Sequence, residues 1–353
     1  MAIEFLGHKR SLLDFIVHVI RRETGSKPST IADLFCGTGA VAAHFKKVGY
    51  QVTANDHLNW CSISAAAELF NDGAPAFDGI MSLIEPTKRR LFESSAYEEV
   101  LDFLNTLAPV DGFILRNYSP ASIKFCDVKR MYFTEENAGR IDAIRARIKK
   151  WEPRLTAGEK ALLLSDLIHA ANAVSNIAGT YGCYLKYWKP RALQPLLLNV
   201  ASPTRGSKGP HHVFCQDANE LAPQIETSIV YADPPYTKRQ YAAYYHILET
   251  ISLGDEPSIE GSTGLRDWAE KSSPYCFRRK ASNALADLLS KVNCNHFFLS
   301  YSEDGQIPHE QVLAVLSKFG KPNFFETDYR RYKSSNLTHK GNQITERLYH
   351  LKF

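Results

Sequence analysis

The sequence contains no apolar run approaching the roughly 18 residues that a bilayer span requires, although 44% of its 353 residues are hydrophobic. A membrane helix is not expected. Nor does the N-terminus read as a secretory leader, because Glu4, His8, Lys9 and Arg10 interrupt its apolar residues. A soluble, cytoplasmic protein is the expectation. Cysteine is scarce and scattered: the seven residues at 36, 61, 126, 183, 215, 276 and 294 form no C-x-x-C pair and are odd in number, which argues against a disulfide framework and a zinc site. Reduced, mostly buried thiols are expected, and no metal. Internal repeats and low-complexity tracts are also missing. With 23% charged residues and a net charge of +4, the composition suits a globular chain with one large domain and one smaller one.

The most informative residues present are Asp233-Pro234-Pro235-Tyr236, which follow Ser228-Ile-Val-Tyr-Ala232, a segment that reads as a buried strand. A carboxylate, a rigid turn and an aromatic ring are thereby set at a strand's C-terminal edge, where open α/β sheets hold ligands. Two successive prolines fix φ and offer no N–H, so the Asp233 carboxylate and the Pro234 carbonyl both face outward as acceptors. Such a pair suits methyl transfer to an exocyclic amino group, whose lone pair is delocalised into the ring and whose two hydrogens must be held. Tyr236 supplies a flat face for a base rotated out of its helix. Earlier in the chain, Asp33-Leu-Phe-Cys-Gly-Thr-Gly-Ala40 lies between the apolar Ile31-Ala32 and the helix-like Val41–Val48, giving strand, glycine loop and helix. Asp33, Phe35, Gly37 and Gly39 are the loop's candidate ligand contacts. Asp56, after the strand Gln51–Ala54, is placed to bind ribose hydroxyls as the acid of dinucleotide folds does. A nicotinamide fingerprint would need glycine where Ala42 stands, and a phosphate loop would need Lys after its last Gly.

Together these segments resemble the bacterial DNA adenine-N(6) methyltransferases of the Dam-like class. Phe5-Leu-Gly-His-Lys9, ahead of a helix starting near Leu12, resembles the family's N-terminal cofactor motif, which brings in Gly7 and Lys9. Phe214-Cys-Gln-Asp-Ala218 resembles the segment beside the cofactor's adenine, with Asp217 as acceptor and Ala218 next to it. The order of cofactor motif, glycine loop, long insert and catalytic strand is the permutation of this class. The resemblance implies S-adenosyl-L-methionine as cofactor, duplex DNA as substrate, base flipping, a monomer or weak dimer, and a separate restriction endonuclease as possible partner. Some RNA adenine methylases share the Asp-Pro-Pro-Tyr string, and a DNA-binding subunit without turnover is a further alternative.

The expected fold is an α/β, Rossmann-like mixed sheet interrupted by a mainly helical insert for DNA recognition. Its strands are expected near 30–35, 51–55, 211–216, 228–232 and 295–301, with a terminal hairpin of Phe324–Lys333 and Ile344–Phe353. Residues 1–58 and 201–353 form the expected catalytic domain and 59–200 the insert. Between Leu167 and Gln216 there is no Asp or Glu, while Lys186, Lys189, Arg191, Arg205 and Lys208 fall inside, so phosphate contact is expected there. The alternating aromatic and basic residues of Gly179–Lys189 suit either a stacking surface or a packed core. A second basic cluster, from Lys124 through Lys129, Arg130, Arg140, Arg145 and Arg147 to Lys150, is diluted by acids and reads equally as a solvated helix face. After the catalytic string, Thr237-Lys-Arg-Gln-Tyr241 offers Lys238, Arg239 and Tyr241 to a flipped nucleotide's backbone. His246 with Glu249, and His211-His212, read as structural pairs. Tyr329-Arg-Arg-Tyr-Lys333 either adds to the DNA surface or solvates a hairpin.

Overall fold

The computed structural model describes residues 9–25, 29–84, 94–330 and 343–353, with backbone alone at 329, 330, 343 and 344. Gly7, the first four residues of the Phe5–Lys9 motif and the Tyr329–Lys333 side chains lie outside the described residues. In chain order the elements are α1 (Leu13–Thr24), β1 (Thr30–Asp33), α2 (Ala40–Lys47), β2 (Gln51–Asn55), α3 (Asn59–Leu69), α4 (Ala96–Asn105), α5 (Phe113–Tyr118), α6 (Glu135–Trp151) and α7 (Ala157–Ala173). They continue with β3 (His212–Phe214), α8 (Ala218–Leu221), β4 (Glu226–Ala232), α9 (Tyr241–Tyr244), α10 (His246–Leu253), β5 (Ile259–Glu260), β6 (Leu265–Arg266), α11 (Arg278–Lys291), β7 (Asn293–Ser302), α12 (His309–Leu316), β8 (Asn323–Arg330) and β9 (Gln343–Lys352).

The sheet unit comprises Leu6–Ala65, Gly206–Tyr241 and Lys271–Phe353. Its seven strands run in the order β3-β2-β1-β4-β7-β9-β8, parallel from β3 to β7, with β9 antiparallel to both of its neighbours. The central strands read as unbroken apolar runs because helices cover them: Ala32, Leu34, Val230, Ala232, Phe297 and Leu299 pack with Leu285, Leu288 and Leu289 of α11 and Val312, Val315 and Leu316 of α12. The chain leaves β1 toward β2 on one side and returns to β4 on the other. The β1–β4 boundary is thus a topological switch point, the crevice in which such sheets bind ligands.

The helical unit comprises Ala66–Arg205 and Ala242–Glu270, apart from the first residues of the chain. Its helices start where the sequence supplies caps: Ser95 with Glu98 closes a capping box on α4, Thr156 with Glu159 does so on α7, and Thr134 caps α6. The units divide at 65/66 and 205/206, and the segment 242–270, expected in the catalytic domain, belongs to the helical one. Backbone carbonyls explain the exchange. Arg145 donates to the carbonyls of Ile251, Ser252 and Leu253 at the end of α10, and Arg130 donates to those of Gly261 and Ser262 in the small β5–β6 hairpin. Tyr118 and Tyr132 bind the Gly264 and Thr263 carbonyls. The single helix expected over 241–251 is broken at the buried Tyr245, between α9 and α10.

Candidate active site

The site begins at the C-terminal ends of β1 and β4, where Asp33 stands in register with Tyr231 and Asp233 follows two residues later. Beyond β1 the chain turns through Gly37 at φ 51° and Gly39 at φ 77°, both in the left-handed region that favours glycine. A Cβ at Gly39 would stand 2.8 Å from the Ala65 Cα, so the loop must lie close against α3. The Asp56 carboxylate braces this loop, accepting the Gly37 N–H at 2.9 Å through Oδ2 and the Leu58 N–H at 2.9 Å through Oδ1. Phe35 meets Tyr275 edge-on at 5.3 Å. Asp33 is fully buried and neither of its oxygens has a hydrogen-bond partner of normal geometry among the described residues. Burial, then the negative Asp233, push its pKa well above the carboxylate range, which the Phe35 backbone only partly opposes.

Asp233 is held from the other side. The Lys9 ammonium lies 3.1 Å from Asp233 Oδ1 and 2.8 Å from Glu346 Oε1, and 5.0 Å from the centroid of the Tyr236 ring. Tyr236 in turn meets Tyr301 edge-on at 5.8 Å, and its carbonyl accepts the Gln306 N–H. Lys9 is only 4% exposed; burial alone would lower its pKa, but Asp233, Tyr236 and Glu346 outweigh that and raise it. Burial pushes Asp233 up to about 7, with Glu346 adding to the rise and Lys9 opposing it. The sequence points to Lys9 as a cofactor ligand, whereas in the fold its ammonium bridges two carboxylates, one of them the catalytic candidate. Sequence reasoning missed Glu346 and its neighbour Ser300. The signal was weak, because Glu346 stands between Thr345 and Arg347 in Ile344-Thr-Glu-Arg-Leu-Tyr, where polar and apolar residues mix.

The remaining candidates divide sharply. Asp217 caps α8, its Oδ1 accepting the N–H groups of Asn219 and Glu220, and Ala218 is buried behind it. Lys238 and Arg239 are exposed and Tyr241 is half-buried. In the helical unit Lys186 is exposed beside Tyr187, which is 65% exposed. Lys189 donates to the Ile177 carbonyl at 2.9 Å, and Arg191 is half-buried with its Nε enclosed. Of the aromatics in 179–189, Tyr181 is core, its hydroxyl on Asn172, Tyr184, which leans on Tyr132, and Trp188 are half-buried, and Tyr187 is exposed.

The second basic cluster divides: besides Arg130 and Arg145, Arg140 donates to the Asn105 carbonyl and Arg147 stacks over Phe103 and Trp151, whereas Lys124, Lys129, Lys149 and Lys150 are exposed. His246 is buried with Nε2 on the Tyr181 carbonyl, and burial pulls its pKa down to about 4, so it is neutral. His211 accepts the Val52 N–H at Nδ1 and meets the Ser207 carbonyl at Nε2, leaving no ring nitrogen for a metal.

Known proteins are similar to this chain over nearly all of its length. The chain is 36% identical over 355 residues to the Type II methyltransferase M.FokI of Planomicrobium okeanokoites, covering 99% of this chain and 52% of that protein. It is 33% identical to the modification methylase StsI of Streptococcus sanguinis, again over 99% and 52%, and 33% identical to the Type II methyltransferase M.NlaIII of Neisseria lactamica over 99% of each. The chain thus spans about half the length of the first two relatives and nearly all of the third. No helix among the described residues is long and apolar enough to cross a membrane. A family model for D12 class N6 adenine-specific DNA methyltransferases matches residues 5–314, from the Lys9 motif through the glycine loop and Asp233 to α12, and the chain belongs to that family.

Proposed function

We propose that this chain transfers a methyl group from S-adenosyl-L-methionine to the exocyclic amino group of adenine in a specific duplex DNA sequence. The observation that carries the reading is the placement of Asp233, fixed by Lys9 and flanked by Tyr236, across the β1–β4 switch point from the glycine loop and Asp33.

Asp33, Phe35, Gly37, Gly39, Asp56, Asp217 and Ala218 are the residues proposed to hold the cofactor, with Gly7 added by the family resemblance. The fit rests on a buried Asp33 carboxyl with no hydrogen-bond partner of normal geometry among the described residues, suited to a cationic ligand, and on the left-handed turns at Gly37 and Gly39 that seat the loop against α3. When bound, the cofactor supplies the methyl group.

The chain's own residues do the rest. Tyr236 stacks on the flipped base. Asp233 accepts one amino N–H and the Pro234 carbonyl the other, so the nitrogen is oriented rather than strongly activated. Burial raises the Asp233 pKa, which makes its carboxylate a better acceptor for the proton that the nitrogen sheds after transfer. The helical unit is proposed to grip the duplex through the acid-free stretch, with Lys186 and Tyr187 outermost and Lys189 and Arg191 bracing that segment. Lys238, Arg239 and Tyr241 follow the flipped strand.

The relatives' names include modification methylase and Type II methyltransferase, which supports a role beside a separate restriction endonuclease. Expression in a bacterial host free of adenine methylation, followed by sequencing that detects modified adenines, tests the reaction. One short motif methylated throughout, and lost with Asp233→Ala, is the expected result. Unmodified DNA from a folded, AdoMet-binding protein would overturn it, and modified adenine in RNA alone would point to the RNA alternative.

A further inference from the structure

We propose that Glu346 is a positioning residue for methyl transfer: it holds the far side of the Lys9 ammonium, and Lys9 in turn fixes the carboxylate of Asp233. The proposal rests on the reading of Asp233 as the catalytic carboxylate. Glu346 lies on β9, a strand antiparallel to β7, where it stands opposite Ser302 and is 1% exposed. Its Oε1 is 2.8 Å from Lys9 Nζ and accepts the Ser300 hydroxyl at 2.8 Å. A glutamate so enclosed would be costly without its ammonium, and the ammonium would be costly without both acids. Lys9 comes from the chain's N-terminal segment and Glu346 from its last strand, so the catalytic carboxylate is set by residues 337 positions apart in sequence.

Among the described residues, Asp233 interacts electrostatically with Lys9, Glu346 from β9, Asp33 from β1 and Tyr231 from β4, and Tyr236 beyond β4 meets Lys9. Glu346 acts on Asp233 in two ways. Through Lys9 it keeps the carboxylate in place, and through its own negative charge it makes that carboxylate harder to ionise. A purely structural residue would do the first without the second.

The two effects separate in variants of the full chain. Glu346→Gln keeps an oxygen for Lys9 and removes the charge, so kcat at pH 8 is expected to stay within roughly threefold of the parent while the acid limb of the rate profile moves to lower pH. Relative to its own rate at pH 8, this variant should be about threefold or more faster than the parent at pH 6. Glu346→Ala releases Lys9 and should lose on the order of tenfold or more in kcat at every pH, with the AdoMet dissociation constant little changed. In a Lys9→Met background the step from Glu346 to Ala should no longer lower kcat.

An acid limb that stays in place or moves upward in Glu346→Gln overturns the proposal, as does an equal kcat loss with Lys9 absent. If Glu346→Gln does not fold, Glu346→Asp serves instead: it keeps the charge but retracts it by one methylene, and parent-like kcat would overturn the positioning role. Carbon-13 titration of the Asp233 carboxyl, assigned with Asp233→Asn, needs no DNA and should show ionisation at lower pH in Glu346→Gln. The linkage is therefore tested even if the parent protein methylates nothing, an outcome that would overturn the functional reading instead.

Discussion

Both units bury charge, and they do so for different ends. In the sheet unit Lys9 is ion-paired with both Asp233 and Glu346, and Asp33 has no hydrogen-bond partner of normal geometry among the described residues. In the helical unit Arg130, Arg140 and Arg145 donate to backbone carbonyls of loops and helix ends. A guanidinium has five donors in a rigid fork and stays charged at any working pH, so it can gather several carbonyls and never titrates. Asp233, buried against the Lys9 ammonium, has its pKa pushed up to about 7. Charge paired with carbonyls builds architecture, and charge paired with other titratable groups builds a site.

The contrast can be broken at several points. Asp233→Ala should lower the single-turnover rate of adenine methylation on the order of a hundred- to a thousandfold while AdoMet still binds, as measured by methyl incorporation and calorimetry. A drop of less than tenfold would remove Asp233 from the chemistry. Arg130→Ala strips three carbonyls of their donor and should cost about 2–4 kcal/mol in denaturant unfolding. DNA affinity of the folded fraction should be unaffected; a selective loss of DNA binding would make that arginine part of the interface after all.

Activity should also report the state of Asp233. Its folded pKa is raised, so its carboxylate is lost as pH falls through about 7, and kcat should decline toward tenfold per pH unit below that. A flat profile between pH 6 and 8 would contradict this. Substituting Lys238 and Arg239 by Ala should leave unfolding stability within about 0.5 kcal/mol and reduce the slope of log affinity against log salt by about one for each phosphate no longer neutralised. The smallest effect is expected at Asp166, which accepts the Tyr97 hydroxyl and is pushed by burial to about 7. Because its proton is held more tightly in the folded chain, it stabilises the fold at low pH and that contribution is lost as pH rises through 7. Asp166→Asn should therefore flatten the decline of Tm between pH 5 and 8.

Much of this was legible beforehand, and for identifiable reasons. The glycine loop and Asp-Pro-Pro-Tyr are local signals, dictated by backbone freedom at Gly37 and Gly39 and its absence at Pro234 and Pro235. Strand periodicity located β1, β2, β4 and β7, and the final hairpin appears as β8 and β9. Less legible was the basic cluster of α6, since nothing in its spacing says that Arg145 will meet the carbonyls of residues more than a hundred positions away. Tyr181 and Tyr187 look alike in sequence, yet one is enclosed and the other 65% exposed.

The sequence by itself determined the chemistry on offer: a rigid acceptor pair after a strand, a glycine turn, and a stretch without acids, each specified locally by steric and electrostatic rules. Only the tertiary structure decided which charges would meet. The antiparallel insertion of β9 between β7 and β8 carries Glu346 to Lys9, and Lys9 to Asp233. Pairings of that kind depend on sheet order and register, which arise from packing many segments at once and leave no periodic trace along the chain.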